Sequence, residues 1–379
     1  MRSRVAYLFA ILLACACGKE PEYIAPVLPP DPGTTPETPV TPPGDAVYDF
    51  SIVENKLDKS LVFTSGTMLR YYSVMQSFAL RGDGYMYGIQ VGTSTNKYLL
   101  NVTRKWVSSD SGKLYMQLPF AGHGGNMDLE MTASRDYIWV GSYGSWNGTK
   151  YTNSQTIARV PFTSGGKLTP WQCTEQYWVP GLRNVSPALD LKNDRLLVWG
   201  LSNSESDTGY FKVYSLSDAK ALPVSEIKLE RALTYGGGES GFPETTETPV
   251  VNARNLGSLT PLANIRLNGG DLGNGSHQGF ALFGDYILHL SGSGNDDKPS
   301  LPSSSTLTVL DLSGKILGRY NVGAVSSKED LAALGITDTG FMEAEGVKVY
   351  DECLYLGYAT KHSSDDKRMV TIFKYTIKQ

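Results

Sequence analysis

Five times along the chain a short hydrophobic stretch ends in a tight polar turn, and a second hydrophobic stretch follows at once. The pairs are residues 76–80 with 85–89, 128–131 with 137–140, 187–191 with 195–199, 278–282 with 286–290, and 345–349 with 353–357. Between them stand Arg81-Gly-Asp-Gly84, Ser134-Arg-Asp136, Lys192-Asn-Asp194, Phe283-Gly-Asp285 and Tyr350-Asp-Glu352, with the Gly and Asp that tight hairpins need. A third apolar stretch follows each pair, at residues 97–102, 155–160, 210–214, 306–310 and 370–375. Self-similar strand units repeated at long intervals predict a propeller, because each blade buries its faces only against its neighbours. The expected fold is all-β: a five-bladed β-propeller with mostly four-stranded antiparallel blades.

The repeat also predicts how the ring closes. An outer strand follows in four blades, whereas the fifth runs out of chain at Gln379. The segment Ala46-Val-Tyr-Asp-Phe-Ser-Ile-Val53 alternates and belongs to no blade, so it is assigned as the N-terminal strand that closes the ring and leaves no long unpaired edge. Surplus chain between the third and fourth hairpins, residues 230–276, carries Gly236-Gly-Gly238 and Asn268-Gly-Gly270. It is too Gly-rich for a long helix and suits short strands.

The first 45 residues form no part of the ring. Arg2 and Arg4 precede an apolar run over residues 5–14, the plan of a secretory signal. Leu12-Leu-Ala-Cys15 resembles the lipobox of bacterial lipoproteins, which implies a signal peptide over residues 1–14 and lipidation of Cys15. Ala14-Cys-Ala-Cys17 offers Cys17 as a second register, and secretory cleavage without a lipid is the alternative. Residues 15–45 then hold the lipidation site and a Pro/Thr-rich stalk that favours extended conformations and cannot fill a core. Lys19-Glu20 resembles the surface-export signal of some Gram-negative lipoproteins. The expected location is the bacterial envelope, at the outer membrane, facing periplasm or cell surface, with the propeller over residues 46–379.

Charge and chemistry narrow the function classes. A net charge of −4 and a pI near 5.7 argue against a nucleic-acid partner, which asks for a basic face. Beyond the N-terminus no apolar run is long enough to span a bilayer, so a lipid anchor is the expected membrane contact. With Cys15 and Cys17 set aside, Cys173 and Cys353 fall in different blades and are expected as free thiols. His123, His277, His289 and His362 lack the spacing of a zinc site, and Gly294-Asn-Asp-Asp297 and Ser363-Ser-Asp-Asp366 lack the ligand pattern of a calcium loop. Neither a metal nor a cofactor is implied.

The segment Gly122-His-Gly-Gly-Asn-Met-Asp-Leu-Glu130, followed by Tyr137-Ile-Trp139, resembles a β-propeller family that includes phage tail receptor-binding proteins, teichoic acid biosynthesis protein C and the bacteriocin helveticin J. Gln76-Ser-Phe78, His277-Gln-Gly-Phe280 and Glu343-Ala-Glu-Gly346 look like the matching blade starts. The resemblance runs from about residue 50 to 378 and implies a fold more firmly than an activity, since its members differ in what they do.

Innermost strands line the channel of a propeller, and the residues at their starts crowd one mouth. Gln76, His123, Asn126, His277, Gln278, Glu343 and Glu345 are therefore the candidate ligand-binding residues. Their amides, imidazoles and carboxylates match the hydroxyls of a sugar, and Tyr72, Trp139, Tyr143, Trp146 and Trp199 offer apolar faces. The alternative for each polar group is a hydrogen bond to a neighbouring blade, and for Trp139 and Trp199 it is core packing. The leading function is a membrane-anchored propeller that binds a glycan or a cell-envelope polymer. A second is a carbohydrate-active hydrolase or lyase using Glu343 or Glu345 with Glu130; a third is a protein-interaction scaffold.

Overall fold

The computed structural model describes residues 47–378 apart from 93–96, 110–111, 238–239, 274–275, 295–302, 326–327 and 363–366. Cys15, Cys17, the stalk and most of the two acidic loops lie outside the described residues.

Each predicted hairpin is the inner pair of a blade. Blade 1 is Ser77–Leu80, Tyr85–Val91, Leu99–Trp106 and Leu114–Pro119. Blade 2 starts with Met127–Met131, Asp136–Ser142, Thr156–Pro161 and Gln176–Trp178. Blade 3 is Leu182–Asp190, Arg195–Ser202, Thr208–Ser215 and Ala263–Asn268. Blade 4 is Ser276–Phe283, Tyr286–Ser293, Ser304–Asp311 and Ile316–Asn321. Blade 5 takes Met342–Tyr350, Cys353–Thr360 and Met369–Thr376 from the C-terminal end. Two hairpins turn in two residues, Phe283 to Tyr286 and Tyr350 to Cys353; in the latter Asp351 and Glu352 are both at positive φ, the geometry that matches strand twist.

The fourth strand of blade 5 is not the expected segment. Val62–Thr67 fills that place, pairing antiparallel with Met369–Thr376 from Val62 opposite Phe373 to Thr67 opposite Val370. Its signal is weak because two register shifts and a positive φ at Gly66 break its alternation. Residues 46–53 alternate for another reason. The Asp49 carboxylate accepts from the Ser51 backbone N–H at 2.9 Å and starts a 3-10 helix, Phe50–Glu54, that drops Phe50 and Val53 into the core between blades 4 and 5. The strand-like pairing of this segment is confined to the isolated bridge of Tyr48 to Lys378 and the bond from the Asp49 N–H to the Ile377 carbonyl at 2.9 Å.

The core is divided into slabs between blades. Blades 1 and 2 enclose Tyr87, Met116 and Leu129; blades 2 and 3 enclose Trp139, Tyr177 and Leu196; blades 3 and 4 enclose Phe211, Phe280 and Ile287. Leu288, Leu307 and Leu356 fill the gap from blade 4 to 5, and Phe78, Met86 and Tyr355 that from 5 to 1, so the ring is closed.

The insertion starts and ends earlier than residues 230–276. It leaves blade 3 after Ser215 and returns as that blade's own outer strand, Ala263–Asn268. On the way Val250–Asn255 pairs parallel with Gln176–Trp178 and antiparallel with Val224–Lys228, making blade 2 six-stranded. A segment from one blade thus clasps the edge of its neighbour and covers what would be an exposed edge.

Candidate functional site at the channel mouth

The inner strands meet on Asn126. Its Nδ2 donates to the carbonyls of Pro187 at 2.8 Å and Phe280 at 3.0 Å, in blades 3 and 4. Its Oδ1 accepts from Ser77 Oγ of blade 1 at 3.4 Å and from Lys348 Nζ of blade 5 at 3.2 Å. Close approach is possible because blades 4 and 5 carry glycine at this level. A Cβ on Gly279 would stand 3.0 Å from the Gly346 Cα and 3.4 Å from Asn126 Oδ1. Asn126 is fully buried, so this predicted site residue ties the ring together and closes the channel rather than facing a ligand.

One residue before this level lie Gln76, Gly125, Val185, Gln278 and Glu345. In blades 4 and 5 the position is a β-bulge: the register shifts between His277 and Gly279 and again between Ala344 and Gly346. An extra residue in one strand re-aims its side chain, and Gln278 and Glu345 are those residues. Gln278 Nε2 donates to the Gly292 carbonyl at 3.3 Å, within its own blade. The Glu345 carboxyl makes no hydrogen bond to any described residue, although the residue is only 3% exposed. Burial, reinforced by the negative charge of Glu343, pushes it well above the usual carboxylate range. Gln76 is half-buried and its side-chain amide is likewise unbonded, while a Cβ on Gly125 would meet nothing within 4 Å.

The remaining candidates separate from this group. His277 stacks on Trp199 with centroids 5.2 Å apart, and its Nδ1 lies 2.8 Å from His289 Nε2, inside the seam of blades 3 and 4. Burial brings His277 down to about 4, so the pair stays neutral. His123 sits beside Lys150; burial and then that charge bring it down to about 4. Glu343 is half-buried next to Gly294. Trp139 and Trp199 are core residues, as is Tyr143, whereas Tyr72 is 46% exposed with Lys367 Nζ 5.4 Å from its ring centroid. Cys173 and Cys353 are free thiols.

Glu130 does not join the mouth. It accepts from Trp139 Nε1 at 2.9 Å, Arg159 Nε at 2.8 Å and Lys220, in an ion cluster that anchors the insertion's first helix to blade 2. Burial pushes its carboxyl up, but these three partners outweigh that and hold it below its ordinary value. A carboxylate committed in this way has no free acid or base function.

Sequence reasoning missed the opposite mouth. Ends of all five inner strands surround a cavity of about 410 Å³, rimmed by Leu80, Met131, Leu191, Phe283 and Tyr350, with Asp128 and Lys348 also lining it. Lys348 Nζ is held by the Met127 carbonyl at 2.6 Å and lies 3.8 Å from Asp128, so its charge serves the ring. One apolar residue at or just past each inner-strand end was a signal available in the repeat.

No family model and no curated protein matches the chain. Among solved structures, the tail fiber of Staphylococcus aureus phage P68 is similar at 17% identity and a TM-score of 0.52, over 86% of this chain. The chain spans about half the length of that fiber, 54%. A GH43 β-1,3-galactosidase, covering 82% of this chain and 94% of its own, matches at 10% identity with a TM-score of 0.43. A polysaccharide lyase, at 85% and 98%, matches at 8% identity with a TM-score of 0.32. At this identity the likeness to the phage fiber is one of fold, and the fold of this chain is a five-bladed β-propeller.

Proposed function

We propose that this protein binds a glycan or cell-envelope polymer at the mouth formed by the starts of its inner strands, and that lipidation at Cys15 or Cys17 tethers it to the outer membrane, facing periplasm or cell surface. Glu345 carries the binding reading. Its carboxyl, 3% exposed as a residue and re-aimed by the bulge, has no hydrogen-bond partner among the described residues, so its lone pairs are uncommitted and available to a ligand. Burial favours its protonated form, which both donates and accepts, as a sugar hydroxyl does. Gln76 adds an amide with both capacities. A glycan-array screen of the full-length protein in detergent tests the reading; absence of any saturable glycan binding contradicts it.

One observation favours a second reading, a hydrolase or lyase. Burial and the charge of Glu343 raise the Glu345 carboxyl, and a carboxyl raised in this way beside a second one suits the acid role in glycosidic bond cleavage. Incubating each bound glycan with the protein and looking for new reducing or unsaturated ends separates binding from cleavage.

A further inference from the structure

We propose that a cleft between blades 1 and 2, at their hairpin turns, is an oxyanion site that takes the sulfate, phosphate or carboxylate substituent of a sugar. It uses none of the mouth residues, and only the choice of a sugar as the anion's carrier rests on the reading above. The cleft has a volume of about 260 Å³, and Arg81, Arg104 and Arg135 line it together with Thr132, Ser134 and a single carboxylate, Asp136.

The three guanidinium groups are in different states. Arg81 is committed: its Nε donates to Asp136 Oδ2 at 2.7 Å, and its Nη1 pairs with Asp83. Arg104 is not. Its Cζ lies 4.4 Å from the Tyr85 ring centroid and 6.0 Å from that of Tyr87, its Nε is buried without an acceptor, and its guanidinium donates no hydrogen bond to any described residue. A guanidinium presents five donors in a planar fork, and the ordinary partner of a sheltered one is a carboxylate or phosphate held by two of them. Arg135 is exposed in the blade 2 turn, and its side chain has neither hydrogen bond nor ion pair among the described residues. The turn is pinned by Thr132 Oγ1 donating to the Arg135 carbonyl at 2.8 Å.

Asp83 and Asp136 both pair with Arg81, Asp136 Oδ2 also accepting from the Tyr87 hydroxyl, so three guanidinium groups face two carboxylates and the cleft keeps an excess positive charge in a chain of net charge −4. Concave walls that exclude water concentrate such a field. Half-buried Phe162, whose ring meets the core Tyr87 edge to face at 5.0 Å, offers an apolar edge to the ring that carries the anion.

The test is calorimetric titration of the full-length protein with glucose 6-sulfate, glucose 6-phosphate, glucuronate and neutral glucose. At least one charged sugar is expected to bind saturably where glucose does not, with affinity falling as sodium chloride is raised. Arg135→Gln alters an exposed side chain, and Arg104→Lys keeps the charge over Tyr85 but removes the fork. Together they are expected to weaken binding about tenfold or more while the melting temperature stays close to that of the unaltered protein. The rank of the three charged probes tells sulfate, phosphate and carboxylate apart. Equal heats for charged sugars and glucose, or undiminished binding in the double variant, overturns the proposal.

Discussion

Lys348 Nζ donates to the Asn126 side-chain oxygen at 3.2 Å, tying the fifth blade to the second across the centre of the ring. The same carboxamide reaches blades 3 and 4 through the Pro187 and Phe280 carbonyls, and accepts from Ser77 of blade 1. One side chain therefore touches every other blade. The expectation for Asn126→Ala is a loss of about 3 kcal/mol or more, since several buried groups lose partners together. Urea unfolding measures it, and a change below about 0.5 kcal/mol would place the closure of the ring elsewhere.

Glu345 sets a pH dependence of defined sign. Its folded carboxyl is raised above the ordinary 4.5, so above that pH the folded chain binds a proton that the unfolded chain releases, and stability falls as pH rises. His277 acts oppositely: lowered from 6.5 to about 4, it makes stability fall as pH drops through that window. Comparing the protein with Glu345→Gln isolates the carboxyl. Glu345→Gln is expected to melt higher at pH 7, with the difference vanishing near pH 4. A constant offset across that range contradicts a raised carboxyl.

Truncation separates the two N-terminal roles. Removing residues 1–46 is expected to leave folding intact. Removal through residue 61 takes Phe50 and Val53 from the core, each worth about 1.5–3 kcal/mol, but keeps the closing strand. Removal through residue 67 uncovers the edge of Met369–Thr376 and is expected to give aggregates by light scattering. A monodisperse protein lacking Val62–Thr67 would contradict this closure.

The inner hairpins were legible because their strands alternate cleanly and their turns carry Gly and Asp, so local chemistry and tertiary fold agree there. The closing strand was not. Val62–Thr67 is polar, bulged and stabilised by a partner some 300 residues away, while the misleading alternation of residues 46–53 belongs to a helix whose apolar side chains enter another seam. The candidate site divides similarly. Polar residues at strand starts were visible as a class, but only the bulges and bonds separate Glu345 and Gln76 from Asn126, His277 and Gln278. The Gln-Gly and Glu-Gly pairs at 278–279 and 345–346 were the trace that bulges left in the sequence.

The central claim is that the mouth around Glu345 binds a glycan, and the most direct measurement is the affinity of an array-identified glycan for the unaltered protein beside Glu345→Gln and Gln76→Ala. Each substitution is expected to weaken binding about tenfold or more, roughly 1.4 kcal/mol, while the melting temperature of Glu345→Gln stays level or rises. Unchanged affinity in both variants, with the protein folded, would contradict the account.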